Sequence, residues 1–405
     1  MSRRSSTRPS TAARLRPLPA LLAVLALVLA ACGGPVLANP PAVRPVVMPE
    51  PAASPRPPDP IPVVLPRDDG PHDRLTEWWY YTGHLRSEDG GRFGFEYVIF
   101  RAERGGFPVT WASHLALTDE TGSRFHYAQR NEIGPQVDRS PRDGGEPTGF
   151  AFTVNGFDLA DPTRLPGTPW TMEGSLGTDT LSAVASDEEV FGDPVSAFGL
   201  DLRLDEVKPP ALHDRDGYID FGPAGGSYYY SRTAMDATGT LSLGPETLRV
   251  TGDAWFDHQW GDFISVGAGG WDWFAVNLED GTDLTVSLVR AADGTYPLVY
   301  GTLVDAQGRT RHLGDEDLAV AVTDEWTSPD TGATYPAGWT ITVPGEELEI
   351  RLSPTVPQQE LDTRATTGVV YWEGSQRVAA TRGGSPLGGL AYVELTGYAP
   401  SPALP

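Results

Sequence analysis

Short runs of aromatic and β-branched residues, separated by turn-forming pairs, are the feature that most limits how this chain can fold. The 405 residues include 46 glycines and 38 prolines. Helix-length hydrophobic periodicity is almost absent, with only a weak trace over residues 182–190. Asp89-Gly90-Gly91 separates two aromatic-rich runs, which is typical of a β-hairpin. The pattern therefore predicts an all-β protein.

Two matches in the same order predict that one all-β unit is repeated. WDWFAVNL at 271–278, followed by a glycine turn, echoes WWYYTGHL at 78–85. Later, Asp305, Gly308 and His312 repeat the spacing of an earlier Asp-Gly-His set at 119–126. Meandering hairpins of this size suit a closed antiparallel β-barrel, which leaves no free strand edge. Periodicity alone also allows a single large sandwich.

The N-terminus has the pattern of an export signal. A basic segment precedes an apolar run at 18–31, which is too short for a comfortable membrane span. The run ends in LAAC at 29–32, which resembles a bacterial lipoprotein signal with Cys32 as the lipidated residue. Cys32 is the only cysteine, so no disulfide within the chain is available. We therefore expect an exported protein, lipid-anchored to the bacterial cell envelope.

The segment that follows Cys32 is rich in proline up to about residue 69, which favours an extended spacer. The predicted organisation is a lipoprotein signal peptide at 1–31, a Pro-rich linker at 32–70, an N-terminal barrel at 71–263 and a C-terminal barrel at 264–405.

The net charge of −24, with a pI near 4.6, excludes non-specific binding of nucleic acid. No nucleic-acid partner is expected.

The stretch WFDHQWGD at 255–262 is the densest group of chemically versatile side chains. In a strand, Phe256, His258 and Trp260 share one face, whereas Trp255 and Asp257 lie on the other. A histidine beside an indole on an apolar face is either a satisfied core residue or the polar group of a ligand cavity. From this residue alone, the core interpretation is favoured.

Several stretches, taken together, resemble one superfamily. They are EWWY at 77–80, HLAL at 114–117, GDAWFDHQWG at 252–261, WDW at 271–273, YWEG at 371–374 and YVELTGY at 392–398. The set resembles the AttH / carotenoid 1,2-hydratase (hydroxyneurosporene synthase) superfamily over roughly residues 71–400. The resemblance implies an all-β fold of two tandem lipocalin-like antiparallel β-barrels.

The resemblance also implies a chemistry. The hydratases add water to a terminal isoprenoid double bond without a redox cofactor. This reaction needs a proton donor, an apolar pocket and aromatic faces beside the carbocation. The family's His-x-Trp falls on His258 and Trp260. Its Tyr-x-Asp has no counterpart on the strand at 283–289, which speaks against carotenoid hydration.

Candidate site residues follow from the strand pattern and from the resemblance to the superfamily. The catalytic candidates are His258, Trp260, Asp257 and Asp272, and the ligand-binding candidates are Trp78, Tyr80, His114, Tyr229, Phe256, Trp271 and Trp273. No metal site is predicted, because His84, His114 and His258 lack tight ligand spacing. No cofactor is expected. The interface between the barrels is a further candidate site.

Two functions remain open at this point. The first is a lipid-anchored binding protein for a long apolar ligand, such as an isoprenoid or lipid, with a membrane transporter as a partner for delivery. The second is a lyase, isomerase or cyclase resembling the hydratases, with His258 and a neighbouring Asp as the acid–base pair. A carboxyl beside His258 that opens on a cavity would favour the enzyme.

Overall fold

The computed structural model describes residues 59–156, 167–187, 189–192, 197–263 and 268–399. The predicted signal peptide, Cys32 and most of the predicted linker lie outside these ranges. Within them the chain is built from strands and four short 3₁₀ helices, Arg67–Asp69, Pro135–Val137, Gly222–Ala224 and Pro344–Glu346. None of these helices reaches the length and apolarity needed to cross a bilayer. The all-β prediction is confirmed.

The strands fall into a first set before residue 262 and a second set after residue 267. The first set is β1 (Thr76–Ser87), β2 (Arg92–Ala102), β3 (Thr110–Asp119), β4 (Arg124–Ile133), β5 (Arg142–Asp143), β6 (Glu146–Pro147), β7 (Phe150–Val154), β8 (Trp170–Ser175), β9 (Thr178–Ala185), β10 (Phe191–Gly192), β11 (Phe198–Glu206), β12 (Ala211–Leu212), β13 (Tyr218–Asp220), β14 (Gly226–Leu243) and β15 (Glu246–Gly261). The second set is β16 (Ala268–Leu278), β17 (Asp283–Ala291), β18 (Leu298–Val304), β19 (Thr310–Leu313), β20 (Ala319–Thr327), β21 (Thr334–Val343), β22 (Leu348–Pro354), β23 (Glu360–Asp362), β24 (Val370–Arg382), β25 (Ser385–Leu387) and β26 (Gly389–Thr396).

Each set forms one antiparallel sheet, apart from the small β5–β6 ribbon. The first sheet has the order β10-β4-β3-β2-β1-β15-β14-β11-β9-β8-β7 and is a nearly closed barrel. The second has the order β19-β18-β17-β16-β26-β24-β22-β21-β20 and is a half-barrel. In both sheets the opening strand pairs with its successor and with the last long strand, β1 with β15 and β16 with β26. The two tandem antiparallel lipocalin-like barrels are confirmed.

The turn chemistry matches the sequence pattern at two hairpins. Gly90 joins β1 to β2 with a φ of +92°, and Gly281 joins β16 to β17 with a φ of +81°. Only glycine enters this left-handed region without steric cost. The first residues of the weak helical periodicity at 182–190, residues 182–185, belong to β9 and pair with β11.

Strands β1 and β2 of the first sheet and β17 of the second are buried on both faces over most of their length, and this arrangement positions the site. In β1, Trp79 and Tyr81 pack inside the first barrel, whereas Tyr80 points outward to the second sheet. In β16, Phe274 packs inside the second sheet and Trp273 points back towards the first. Because side chains alternate along a strand, one face builds the core of its own barrel and the other builds the interface.

Candidate functional site between the barrels

A cavity of about 130 Å³ lies where the outer faces of the two sheets meet. Its wall combines side chains from both sheets with Phe221 and Phe263, which lie outside the strands. The lining residues are Thr76, Trp78, Tyr80, Glu96, Phe100, Phe221, Tyr229, Asp257, Gln259, Phe263, Trp271, Trp273, Ser287, Val289, Tyr300, Tyr371 and Glu394. The volume suits one aromatic ring or a small branched group. The wall is aromatic, with a few convergent carboxyl and hydroxyl groups, as is typical of a ligand pocket.

The aromatic rings meet mostly edge to face. Trp273 lies 5.3 Å from Tyr80 between ring centroids, at an interplanar angle of 88°. Trp78 lies 5.9 Å from Phe263 at 84° and 6.4 Å from Phe100 at 61°. Such contacts hold the rings in place and turn some of their faces towards the cavity.

Asp257, on β15, is the most heavily hydrogen-bonded carboxylate of the cavity. Its oxygens accept hydrogen bonds from the hydroxyls of Tyr229 and Ser231 and, at 2.6 Å, from Nε1 of Trp255. Trp273 Nε1 in turn donates to the Tyr229 hydroxyl at 3.0 Å. Burial raises the pKa of Asp257 to about 6, although the three donors pull the pKa down. Asp257 is therefore mainly ionised at neutral pH.

Glu96, on β2, is held in its protonated form. It is fully buried, and its Oε1 accepts a hydrogen bond of 3.0 Å from the Tyr371 hydroxyl. Its Oε2 has no hydrogen-bond partner among the described residues. Burial, followed by repulsion from Glu394, raises the pKa of Glu96 to about 8. Glu96 is therefore mainly neutral at neutral pH, with a free O–H to donate.

Two further acids face the same region. Glu394, on β26, accepts a hydrogen bond of 3.1 Å from Trp271 Nε1, and burial raises its pKa to about 7. Glu373, on β24, accepts a hydrogen bond of 2.7 Å from the Tyr80 hydroxyl. Burial and repulsion from Glu96 and Glu394 raise the pKa of Glu373 well above its usual range. Three carboxyl groups, from both sheets, thus line the cavity, and a fourth, that of Glu373, is hydrogen-bonded to the lining residue Tyr80.

The structure brings together most of the candidates on the outward faces. Asp257 lines the cavity together with the ligand-binding candidates Trp78, Tyr80, Tyr229, Trp271 and Trp273. His114 stands behind the wall, with Nδ1 2.7 Å from the Tyr371 hydroxyl. Burial lowers the pKa of His114 to about 3, so it is neutral.

Asp272 lies apart from the cavity wall. It accepts a hydrogen bond of 2.8 Å from Arg290 and one of 3.0 Å from the Tyr398 hydroxyl.

His258, Trp260 and Phe256 lie on the other face of β15, inside the first barrel, so they do not line the cavity. His258 packs against Trp79 and Trp260, both at 4.6 Å between ring centroids. The carboxyl beside His258 is Glu77, whose Oε1 is 3.0 Å from Nε2. The sequence-based criterion for an enzyme is therefore met only in part: His258 has a carboxyl partner, but the pair does not open on this cavity.

Glu77 is shared by two histidines. His72 Nδ1 lies 2.7 Å from the same Oε1, and the ring of His72 stacks on Trp260 at 4.1 Å. Burial alone would raise the pKa of Glu77, but the two histidines lower it to about 2. In the described part of the chain, His72, Glu77 and His258 are the group whose ligand atoms, all within 4.8 Å of one another, could hold a metal ion.

The sequence reasoning did not select Glu96, Glu373, Glu394 and Tyr371. Each is a polar residue in an otherwise apolar or aromatic strand, at the parity that alternates with the barrel core. This alternation was the one signal in the sequence that could have found these residues. It does not identify a site by itself, because the outward face of a barrel strand normally meets solvent and carries polar residues.

The fold and the cavity define this protein as a two-domain, tandem lipocalin-like barrel protein. The chain belongs to the AttH-like family, whose sequence model matches residues 56–398. The crystal structure of AttH from Nitrosomonas europaea is similar, with 30% identity, a TM-score of 0.67 and coverage of 84% of this chain and 98% of that one.

A second similar structure is kievitone hydratase from Nectria haematococca. It is 15% identical, with a TM-score of 0.60 and coverage of 83% of this chain and 93% of that one. At this identity the likeness shows the fold. No curated protein sequence matches the chain.

Proposed function

We propose that the protein binds a small apolar, unsaturated molecule in the cavity between the barrels and acts on it by proton transfer, as a hydratase or isomerase. One observation carries the proposal: Glu96 and Asp257 line the same aromatic cavity in different surroundings, with three hydrogen-bond donors on Asp257 but one on Glu96, whose Oε2 has no partner among the described residues, and the pKa of Glu96 is raised further than that of Asp257. Carboxyl groups whose environments push their pKa values apart are the usual acid and base of such a site. The similarity in fold to a hydratase agrees with this reaction class.

The residues support a balanced hydration step. Glu96 gives its proton from Oε2 to one carbon of a double bond, whose π electrons form the new C–H bond and leave the other carbon positive. A water molecule forms a C–O bond to that carbon, while Asp257 accepts a proton from the water. Exchange with solvent then moves a proton from Asp257 back to Glu96. Isomerisation uses the same first step, followed by loss of a different proton to Asp257.

The test uses a panel of small unsaturated apolar molecules in D₂¹⁸O, with mass spectrometry to detect either incorporation of one labelled water, as in hydration, or uptake of deuterium without ¹⁸O, as in isomerisation. For any substrate found, we expect Glu96→Gln and Asp257→Asn each to lower turnover by about 10²-fold or more. The exposed Glu325→Gln variant on β20 is the matched control and should keep wild-type turnover. Retention of full turnover by Glu96→Gln would sink the proposal.

His258 and Trp260 remain predicted catalytic residues, and the same assay separates their role from that of the cavity acids. Both lie in the packed interior of the first barrel. We therefore expect His258→Ala and Trp260→Ala to lower the melting temperature. If they abolish turnover with no loss of stability, the chemistry belongs to the interior of the first barrel instead.

Ligand binding without turnover is the second candidate function, as a carrier of an isoprenoid or lipid. The aromatic wall of the cavity and the absence of a Tyr-x-Asp on the strand at 283–289 favour it. Native mass spectrometry of protein purified from its own host, followed by solvent extraction, tests this function. Release of an intact apolar molecule, together with no labelled product in the first assay, would favour the carrier.

The mature protein is proposed to be anchored to the bacterial cell envelope through a lipid on Cys32. The apolar run before the sole cysteine supports this. Metabolic labelling with a radioactive fatty acid should mark the wild-type protein, and Cys32→Ser should abolish the label and release the protein from membranes. A membrane transporter is the proposed partner for a carrier role, and in-cell cross-linking tests it.

A further inference from the structure

The three carboxyl groups that line the cavity, and that of the nearby Glu373, lack the cationic partners that several other buried acids of this protein have. Asp69 pairs with Arg232 at 2.6 Å, Asp283 with Lys208 at 2.6 Å, and Asp272 with Arg290 at 2.8 Å. In the described part of the chain, no basic side chain forms an ion pair with Glu96, Glu373, Glu394 or Asp257. Without such compensation Glu96 and Glu373 keep their protons, whereas a cation placed beside them would allow them to ionise.

The charged residues of the cavity wall are all acidic. Among the described residues that line it, three are carboxylic acids and none is Lys, Arg or His. Six are Trp or Phe, and three of these, Trp78, Trp271 and Trp273, are tryptophans. An indole face attracts a cation through its quadrupole more strongly than any other side-chain ring. Carboxylates and indole faces together form a site of negative potential in a partly desolvated space.

One polar atom of the wall is left without a partner. Glu96 is fully buried and lines the cavity, and its Oε2 has no hydrogen bond within the described residues. Oε2 of the neighbouring Glu373 also has no hydrogen-bond partner among the described residues. Buried polar atoms are nearly always satisfied, so an orphan atom beside a cavity marks a position where a bound molecule or a water can supply the missing hydrogen bond.

We propose that the cavity takes a ligand whose buried end carries positive charge, an amine or quaternary ammonium group with apolar substituents. This inference rests on the proposed binding function of the cavity and names the ligand class. The ammonium group faces the indoles, and the carboxylate of Asp257, together with the carboxyl group of Glu394, supplies the balancing negative charge. Proton transfer from Glu96 to a neutral substrate creates the same pair of charges inside the cavity.

The same features act against anionic ligands. A fatty acid or a phosphate ester with its head group in the cavity would bring a further negative charge beside Asp257, with no basic lining residue among those described to balance it. Such ligands are therefore expected to bind weakly, or with their head group outside.

The test compares choline with its neutral isostere 3,3-dimethylbutan-1-ol, which differs by replacement of the ammonium nitrogen with carbon. Isothermal titration of the purified full chain at pH 7 should give an affinity for choline at least about tenfold higher. Choline should also release protons, because a cation beside Glu96, Glu373 and Glu394 favours their ionised forms, and the isostere should release none. Titration in two buffers of different ionisation enthalpy measures this release.

Two variants and their controls show whether the preference for choline arises in this cavity. Glu394→Gln and Trp273→Leu should each reduce the preference for choline over the isostere several-fold. Glu325→Gln and Trp326→Leu, on the exposed strand β20, should leave it unchanged. Circular dichroism melting curves show whether each variant is folded, and the comparison of the two probes on the wild-type protein does not depend on any variant.

Equal affinity for the two probes, or tighter binding of the isostere, overturns the inference and leaves the proposed proton-transfer function standing. Absence of binding by both probes overturns it as well, and the labelled-water assay then judges the proposed function separately. Wild-type preference in Glu394→Gln and Trp273→Leu would place the cation outside this cavity and would also reject the inference.

Discussion

The buried Glu96 makes a prediction about stability that depends strongly on pH. Its pKa is raised from 4.5 to about 8, mainly because the carboxylate would be desolvated. In the unfolded chain the carboxyl ionises near pH 4.5, whereas in the folded protein it keeps its proton to about pH 8. Between these values the folded state binds more protons, so stability falls as the pH rises. The cost is absent below pH 4.5 and is complete above pH 8.

The size of this effect follows from the two pKa values. Their difference corresponds to about 5 kcal/mol of unfolding free energy when both states are fully ionised. Between pH 5 and pH 8 the wild-type protein should lose roughly 3–4 kcal/mol through this one group. Glu96→Gln keeps an oxygen that can accept the hydrogen bond from Tyr371, but it cannot ionise. The variant should therefore match the wild type at pH 5 within about 1 kcal/mol and exceed its stability at pH 8 by about 3 kcal/mol.

Urea unfolding followed by circular dichroism at pH 5, 6, 7 and 8 measures the difference. Glu325→Gln, an exposed acid on β20, provides the control and should show a nearly constant difference from the wild type. If the difference between Glu96→Gln and the wild type stays flat from pH 5 to pH 8, Glu96 is not held neutral. The acid–base assignment of the cavity would then be wrong.

Two further changes test the packing that supports the site. Arg232→Met removes the fully buried partner of Asp69 and should lower the free energy of unfolding in urea by about 3–5 kcal/mol. Adding Asp69→Asn to this variant should recover part of that loss. If the costs of the two substitutions simply add, the two residues are not a coupled ion pair. Gly94→Val adds a side chain whose Cβ would lie 2.7 Å from Ser375 Cβ across the two sheets, so the substitution should separate the barrels. Differential scanning calorimetry should then show two unfolding transitions. A single transition at the wild-type temperature would show that the interface accommodates the valine side chain.

Local patterns in the sequence predicted much of the fold correctly. The turns at Gly90 and Gly281, the strand alternation and the resemblance to the AttH superfamily all agree with the structure. In WFDHQWGD the alternation placed Phe256 and Trp260 on one face and Trp255 on the other, and burial confirms this division. These features depend on residues close together in the chain, which is why sequence reasoning reaches them.

Choosing between the two faces of β15 requires more than the sequence pattern. Both faces are buried, one inside the first barrel and the other against the second sheet, so hydrophobicity does not tell which face borders a cavity. The apolar face, with His258, was the natural candidate, but the cavity borders the face that carries Asp257. A buried face against a partner domain looks the same in the sequence as a face that borders a ligand.

The sequence by itself determined that the chain forms antiparallel strands in two units, because hydrophobic alternation and turn residues act over a few positions. It also determined which residues share a face of each strand. Only the tertiary structure decided that Glu96 on β2, Asp257 on β15 and Glu394 on β26 meet at one cavity, because they are brought together by packing between two barrels. The same packing removes water from these acids, so their perturbed pKa values are properties of the assembled interface rather than of any strand.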